Sequence, residues 1–307
     1  MAKPTPVRGL EAATPMPQAA RALLKGRLAD VQRYLGKLGP RLGSDQVHDA
    51  RVATRRLRAA LALLGNHKRV RKADRQVRNL QDALGDVRDV HVQIDAFGAM
   101  DDRASPLERT TLRHVRQHLA ARLPPKVEAL RAAIPLWKER GPPAIARLDA
   151  EEPKGKLGGH RARQKLVSDL EELEARVLEA QQDPSPAPMH ELRKTVKRFR
   201  YAVEMLESAM PGEVAEILGA LIPLQETLGT LHDTDVRLEL VDGVVGASSE
   251  GADSLLRRLR TDRDRQAQDV LRALDAWEEE AVALRGQVLL SSSPLKRGAG
   301  RRGSGRG

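Results

Sequence analysis

Apolar residues recur along most of the chain every three or four positions. Leu23, Leu24, Leu28, Val31, Leu35 and Leu38 share one helical face, which predicts a helix over 19–38 that Gly39-Pro40 ends. Ser44 or Asp45 is the expected cap of a second helix over 45–64, with Leu57, Leu61 and Leu64 along its back and Gly65-Asn66 as its stop. A third helix is predicted over 68–84, and 91–100 continues as helix after the segment LQDALGDVRD at 80–89. Pro106 opens a long helix to about 133, with a break or kink expected at Pro124-Pro125. Past Gly141-Pro142-Pro143, Leu166, Leu170, Leu173, Val177 and Leu178 mark a helix over 160–181. Prolines 184, 186 and 188 end it, and a helix over 189–209 follows up to Pro211-Gly212. The next helix leads into LQETLGTLHD at 224–233, and further helix is predicted over 234–245 and 252–285. No segment alternates apolar and polar residues as a half-buried strand does, so the fold class is all-α.

The polar faces of two of these helices repeat each other. HDARVATRRLR at 48–58 returns as HELRKTVKRFR at 190–200. At 100° per residue, His48, Arg51, Arg55 and Arg58 fall within about 80° of one another, opposite Leu57, Leu61 and Leu64. His190, Arg193, Lys197 and Arg200 repeat that arc, with Phe199, Val203 and Leu206 behind. Each stripe is about 15 Å long. The histidines are 142 residues apart, and the glutamines of the two LQxxLG segments, Gln81 and Gln225, are 144 apart. Arg56/Arg198, Gly85/Gly229 and Asp89/Asp233 also match. An internal repeat of about four helices per half predicts two four-helix bundles, pseudo-twofold related, with the stripes facing each other across a basic groove. The expected organisation is a disordered arm (1–17), a first repeat (18–145), a linker (146–159), a second repeat (160–285) and a disordered basic tail (286–307).

Charge gives these stripes their meaning. The 307 residues carry a formal net charge of +11, which points to an anionic partner: nucleic acid, an anionic membrane or a polyphosphate. The aromatics number six: Tyr34, Phe97, Trp137, Phe199, Tyr201 and Trp277. Binders of single strands and RNA stack bases on rings, so this poverty favours a ligand made of charge without bases. Cysteine is absent, which excludes disulfides and thiolate zinc sites. No apolar run reaches the roughly 20 residues that span a bilayer, and the first residues lack a signal-peptide core, so a cytoplasmic protein without membrane contact is expected. Phosphate-binding glycine loops, nucleophile elbows and clustered carboxylates for magnesium are missing, and no cofactor is implied. His114 and His118 have a metal-compatible spacing but no third ligand, so no metal site is expected.

Cations at i,i+3 and i,i+4 repel by a few tenths of a kcal/mol each. A solvated face relieved by Asp49, Asp82, Asp86, Asp89, Glu191, Glu204 and Glu226 accounts for one stripe, but not for the same stripe twice. Arginine suits phosphate because its planar fork binds two oxygens and keeps its charge when desolvated. Lys68, Arg71, Arg75 and Arg78 form a third, supporting basic row. Asp89 and Asp233 read either as carboxylates that orient the arginines or as helix caps. A nucleic-acid binder remains open as an alternative, with weak binding through the tail cations Lys296, Arg297, Arg301, Arg302 and Arg306. So does a histidine phosphotransfer or phosphatase enzyme. Oligomeric state is not legible.

VHDARVATRRLRAAL at 47–61, LQDALGDVRDVHV at 80–92, MHELRKTVKRFRYAVEML at 189–206 and LQETLGTLHDTDV at 224–236 together resemble the CHAD family, the "conserved histidine α-helical domain". The resemblance covers about 18–285 and implies two four-helix bundles around a basic channel. It implies binding of inorganic polyphosphate and association with polyphosphate granules, and with the catalytic motifs missing a non-enzymatic binder is expected. Carried over by position, the ligand-facing residues are His48, Arg51, Arg55, Arg56 and Arg58 with His190, Arg193, Lys197, Arg198 and Arg200. Family members are often joined to a CYTH triphosphatase domain, whose acidic strands this sequence lacks, so a stand-alone binder is expected. One departure stands out. The family usually has basic residues before the second LQxxLG, whereas 212–223, GEVAEILGALIP, has none. A binding surface stronger on the first half is therefore expected.

Overall fold

The computed structural model describes residues 3–65, 67–148, 155–245 and 249–290. Its helices are α1 (Met16–Gly36), α2 (Ser44–Ala62), α3 (Lys68–Ala99), α4 (Pro106–Ala146), α5 (His160–Gln182), α6 (Pro186–Glu204), α7 (Pro211–Val245) and α8 (Glu250–Leu290), with a 3-10 turn at Asp101–Arg103. The described residues contain no strand, so the fold is all-α. Within each half, consecutive helices pack on one another, and α1 meets α4 as α5 meets α8, so each half closes into a four-helix ring. α2 packs on α6, and α4 packs on both α7 and α8, which joins the halves.

Leucines at helical spacing put one face of every helix inside. A continuous cluster draws Leu57, Leu61, Leu80, Leu84 and Leu130 from the first half together with Leu173, Leu192, Leu221 and Leu224 from the second. A second cluster, with Phe97, Leu112, Val115, Val241 and Leu255, knits the ends of α3 and α7 to the starts of α4 and α8. Each such side chain contributes about 1.5–3 kcal/mol on burial.

That burial overrides several local stop signals. α3 runs unbroken through LQDALG, because Leu80, Leu84 and Val87 are buried along it and outweigh the roughly 1 kcal/mol cost of Gly85. α7 does the same around Gly229. Asp89 and Asp233 therefore lie inside helices, and the helix-cap reading of both is wrong. α4 continues through Pro124 and Pro125, which face solvent between the buried anchors Leu119 and Leu130. Gly43, not Ser44 or Asp45, is the residue at the cap of α2. The Ser44 hydroxyl instead accepts a hydrogen bond from Arg88 and donates to Asp95 at 3.5 Å.

Nor are residues 3–15 a disordered arm. Asp30 and Arg27 form a buried ion pair at 2.9 Å, and Thr5 donates its backbone N–H (3.1 Å) and its hydroxyl (2.5 Å) to Asp30. Tyr34 donates to the Lys3 carbonyl at 3.1 Å, and Leu10 is buried. Farther on, Met16 N–H bonds the Gly155 carbonyl (2.8 Å) and Leu157 N–H bonds the Thr14 carbonyl (2.9 Å). The linker enters this packing through buried Leu148 and Leu157, while 149–154 lie outside the described residues. α8 extends to Leu290, and the tail cations from Lys296 onward also lie outside them.

α4 is tied to α8 by Glu108. Its backbone N–H donates to the Ser105 hydroxyl (3.2 Å), and its carboxylate accepts from the Ser105 N–H (2.9 Å), Ser254 (3.1 Å) and Arg258 (3.4 Å). Glu108→Ala breaks the capping box and leaves Arg258 without its carboxylate, so it is expected to cost about 1–3 kcal/mol. Urea unfolding measures this, and a loss inside experimental error would show that the contact does not stabilise the joint.

Candidate functional site

The stripes are carried by α2 and α6, the pair that meets across the halves. Leu57 and Leu61 anchor the back of α2, and Leu192, Phe199 and Val203 that of α6. The opposite faces bring Arg51 and Arg55 of α2 against Arg193 and Lys197 of α6, close enough that each shifts the titration of its neighbours. Burial, then Arg55, pushes Arg51 down to about 10, and burial lowers Arg193 as well. Lys197 is shifted further. Burial, followed by the charges of Arg193, Arg55 and Arg51, lowers it from 10.5 to about 6. Arginine holds its proton under these conditions and lysine does not.

Few acids relieve this cluster. Arg51 approaches Asp89 at 3.8 Å, beyond hydrogen-bond distance, and the Asp89 side chain is 71% exposed. Asp233 raises the titration of Arg193 and Lys197 without a hydrogen bond to either in the structure. Both carboxylates thus act on the cluster through their fields. Arg55 donates to the Tyr201 hydroxyl at 3.4 Å. The Nε atoms of Arg51 and Arg193 are buried and meet no hydrogen-bond partner. Gly85 makes room for Arg51, since a Cβ there would lie 3.2 Å from its Nε. At Gly229 a Cβ would meet nothing within 4 Å, so the close approach exists in one half only.

Histidines flank the cluster. His48 is lowered by burial and then by Arg88, and His190 by burial and then by Lys194 and Arg193. His190 Nδ1 lies 3.4 Å from His232 Nδ1, and burial followed by Arg193 pushes His232 down to about 4. Their surroundings thus favour the neutral imidazole in all three.

The remaining stripe residues are engaged with carboxylates. Arg56 (3.1 Å) and Arg200 (3.0 Å) both hold Glu204, which clamps α2 to α6. Arg200 also donates to Gln225 at 3.3 Å. Arg58 (2.7 Å) and Arg78 (3.0 Å) share Asp74, and Arg198 pairs with Glu172 of α5 at 2.5 Å. Of the supporting row, Arg71 and Arg75 are exposed on α3. The centre of the site is therefore His48, Arg51, Arg55, His190, Arg193 and Lys197. Arg56, Arg58, Arg198 and Arg200 surround it in ion pairs. Arg88, Tyr201 and His232 belong with the centre. Arg88 and His232 occupy matching places in the repeat, three residues after each LQxxLG glycine, and that offset was the signal for them. His114 and His118 are exposed on α4, and among the described residues no group of three or more His, Cys, Asp or Glu is placed to hold a metal ion.

The family model described as CHAD domain matches residues 22–242, which includes both stripes and both LQxxLG segments. The chain belongs to the CHAD family. Among solved structures it is similar to the CHAD domain from the plant Ricinus communis, at 22% identity and a TM-score of 0.68, over 92% of this chain and 97% of that one. It is also similar to PptA from Streptomyces chartreusis, at 14% identity and a TM-score of 0.65, over 87% of this chain and all of that one. At these identities the likeness is one of fold. No curated protein matches the chain. Within the CHAD fold, the departure before the second LQxxLG is visible as surface: Gly212, Ala215, Glu216 and Gly219 of α7 are exposed where α3 exposes Lys68, Arg71, Lys72 and Arg75.

Lys197 gives this CHAD domain a stability that depends on pH. The amine titrates near 6 when folded and near 10.5 when unfolded, so the unfolded chain binds more protons between those values. Stability therefore rises with pH across that window, and the full cost is present below 6. Lys197→Met should be more stable than the native protein at pH 6, with the difference shrinking towards 10.5. Urea midpoints across the window check this, and an unchanged slope in the variant would assign the dependence to other groups.

Proposed function

We propose that this chain binds inorganic polyphosphate at the α2–α6 cluster, as a binder that does not turn the polymer over, and that it acts at polyphosphate granules. The observation that carries the proposal is the buried, partner-less Nε of Arg51 and of Arg193, set among Arg55 and Lys197 with no acid in hydrogen-bond contact with Arg51 or Lys197. Buried donors without acceptors are costly, and an anion with many oxygens relieves them together with the mutual repulsion. Polyphosphate carries one negative charge per repeat and no bases. It asks for a row of cations and no stacking platform, and the ring nearest the cluster, Tyr201, is engaged with Arg55.

Counterion release would supply much of the affinity, so binding falls with salt. A bound polyanion raises the titration of Lys197, so binding takes up a proton above pH 6, and affinity falls as pH rises from there.

The test is binding of long-chain polyphosphate to the full chain at physiological salt, with and without excess duplex DNA. It is run beside Arg51→Glu/Arg55→Glu/Arg193→Glu/Lys197→Glu and a distant control, Arg272→Glu. Native and control proteins should bind in the presence of DNA, and the quadruple variant, shown by circular dichroism to be folded, should lose at least about 100-fold. Displacement by DNA at equal phosphate concentration would favour a nucleic-acid binder. Full binding by the quadruple variant would remove the cluster from the function.

A further inference from the structure

Beyond the central cluster, exposed cations continue along the N-terminal half of α3 and not along the matching part of α7. Arg71, Arg78 and Gly85 are spaced by seven residues on α3 and stay within about 40° of one another around it. Gly85 is where the Arg51 guanidinium crosses. Arg58, the last residue of the α2 stripe, reaches this face through Asp74, which also holds Arg78. Arg71, Arg75 and Arg78 are exposed, and from Gly85 to Arg71 the line measures about 21 Å.

The matching positions 144 residues on are Ala215, Gly219, Ile222 and Gly229 of α7. This face is open, since a Cβ at Gly219 or Gly229 would meet nothing within 4 Å. Its nearby charges are negative: Glu216 is exposed, and Glu213 reaches Arg163 at 3.5 Å. A polyanion lying over α3 meets three exposed arginines, of which Arg78 is shared with Asp74, and one exposed acid, Asp82, whereas over this part of α7 it meets neutral and acidic surface with no cation at the matching positions.

We propose that a bound polyphosphate chain leaves the α2–α6 cluster in one direction, along the N-terminal half of α3, so that the protein prefers long chains to short ones through a single-sided track. This rests on the polyphosphate reading. Tripolyphosphate fills the cluster and stops short of the track, while a long chain occupies both.

The experiment compares tripolyphosphate with long-chain polyphosphate on three full-length proteins: native, Arg71→Ala/Arg75→Ala/Arg78→Ala, and Ala215→Lys/Gly219→Lys. The first variant should lose about 10-fold or more for the long chain, with its log–log salt slope reduced by about 2, while binding of tripolyphosphate is unchanged. The second places lysines on the open α7 face, where they disturb no packing, and should tighten long-chain binding alone. It keeps the test decisive if the triple variant folds poorly. Equal loss for both ligands in the first variant, or no gain in the second, would overturn the single-sided track. Native protein that binds neither ligand would instead overturn the polyphosphate reading itself.

Discussion

Repulsion among Arg51, Arg55, Arg193 and Lys197 is the constraint on which this structure turns. Left to themselves, three arginines that stay charged and a lysine pushed towards its neutral form would separate, and α2 and α6 would part. They are held together by what lies behind and beside them. Leu57, Leu61, Phe199 and Val203 are buried, each contributing on the order of 1.5–3 kcal/mol. Glu204 accepts from an arginine of each half and pins the crossing. Hydrophobic burial thus offsets a cluster that is electrostatically unfavourable in itself.

The stripes divide their labour. Arginines at the margins are held by Glu204, Asp74 and Glu172, which fixes their direction. Those at the centre lack such partners. The one lysine at the centre replaces the arginine of the other half, and that difference has chemical weight. An arginine must carry its charge whatever its surroundings, while Lys197 can surrender its proton and relieve the repulsion within the cluster.

Much of this was legible in the sequence. Apolar spacing placed α1, α2, α5 and α6, and the two His-x-x-Arg stripes, appearing 142 residues apart, contain the six residues that the structure brings together between α2 and α6. What stayed hidden depends on contacts distant in sequence. Nothing near Arg56 or Arg58 announces Glu204 or Asp74 as partners, so ion-paired and central arginines looked alike. Glycine and proline punctuation overstated the breaks in α3, α4 and α7, because the burial of Leu84, Leu130 and Leu228 outweighs local propensity. The proline-rich start looked like a free arm because Asp30, which anchors Thr5, is 25 residues away and reads as an ordinary helix-surface acid.

The pairing of that start with the connection between the halves bears on how the chain is made. Met16 and Thr14 bond to Gly155 and Leu157, roughly 140 residues downstream. On a ribosome, the first helical ring is complete in sequence by Ala146, so it can collapse with Lys3 and Thr5 already bonded to α1 while Thr14 and Met16, at the end of the N-terminal strap, still lack their partners. The strap closes only after the linker emerges. Thr14 and Met16 are therefore among the last residues of the first half to find their place, and their docking couples completion of that half to arrival of the linker.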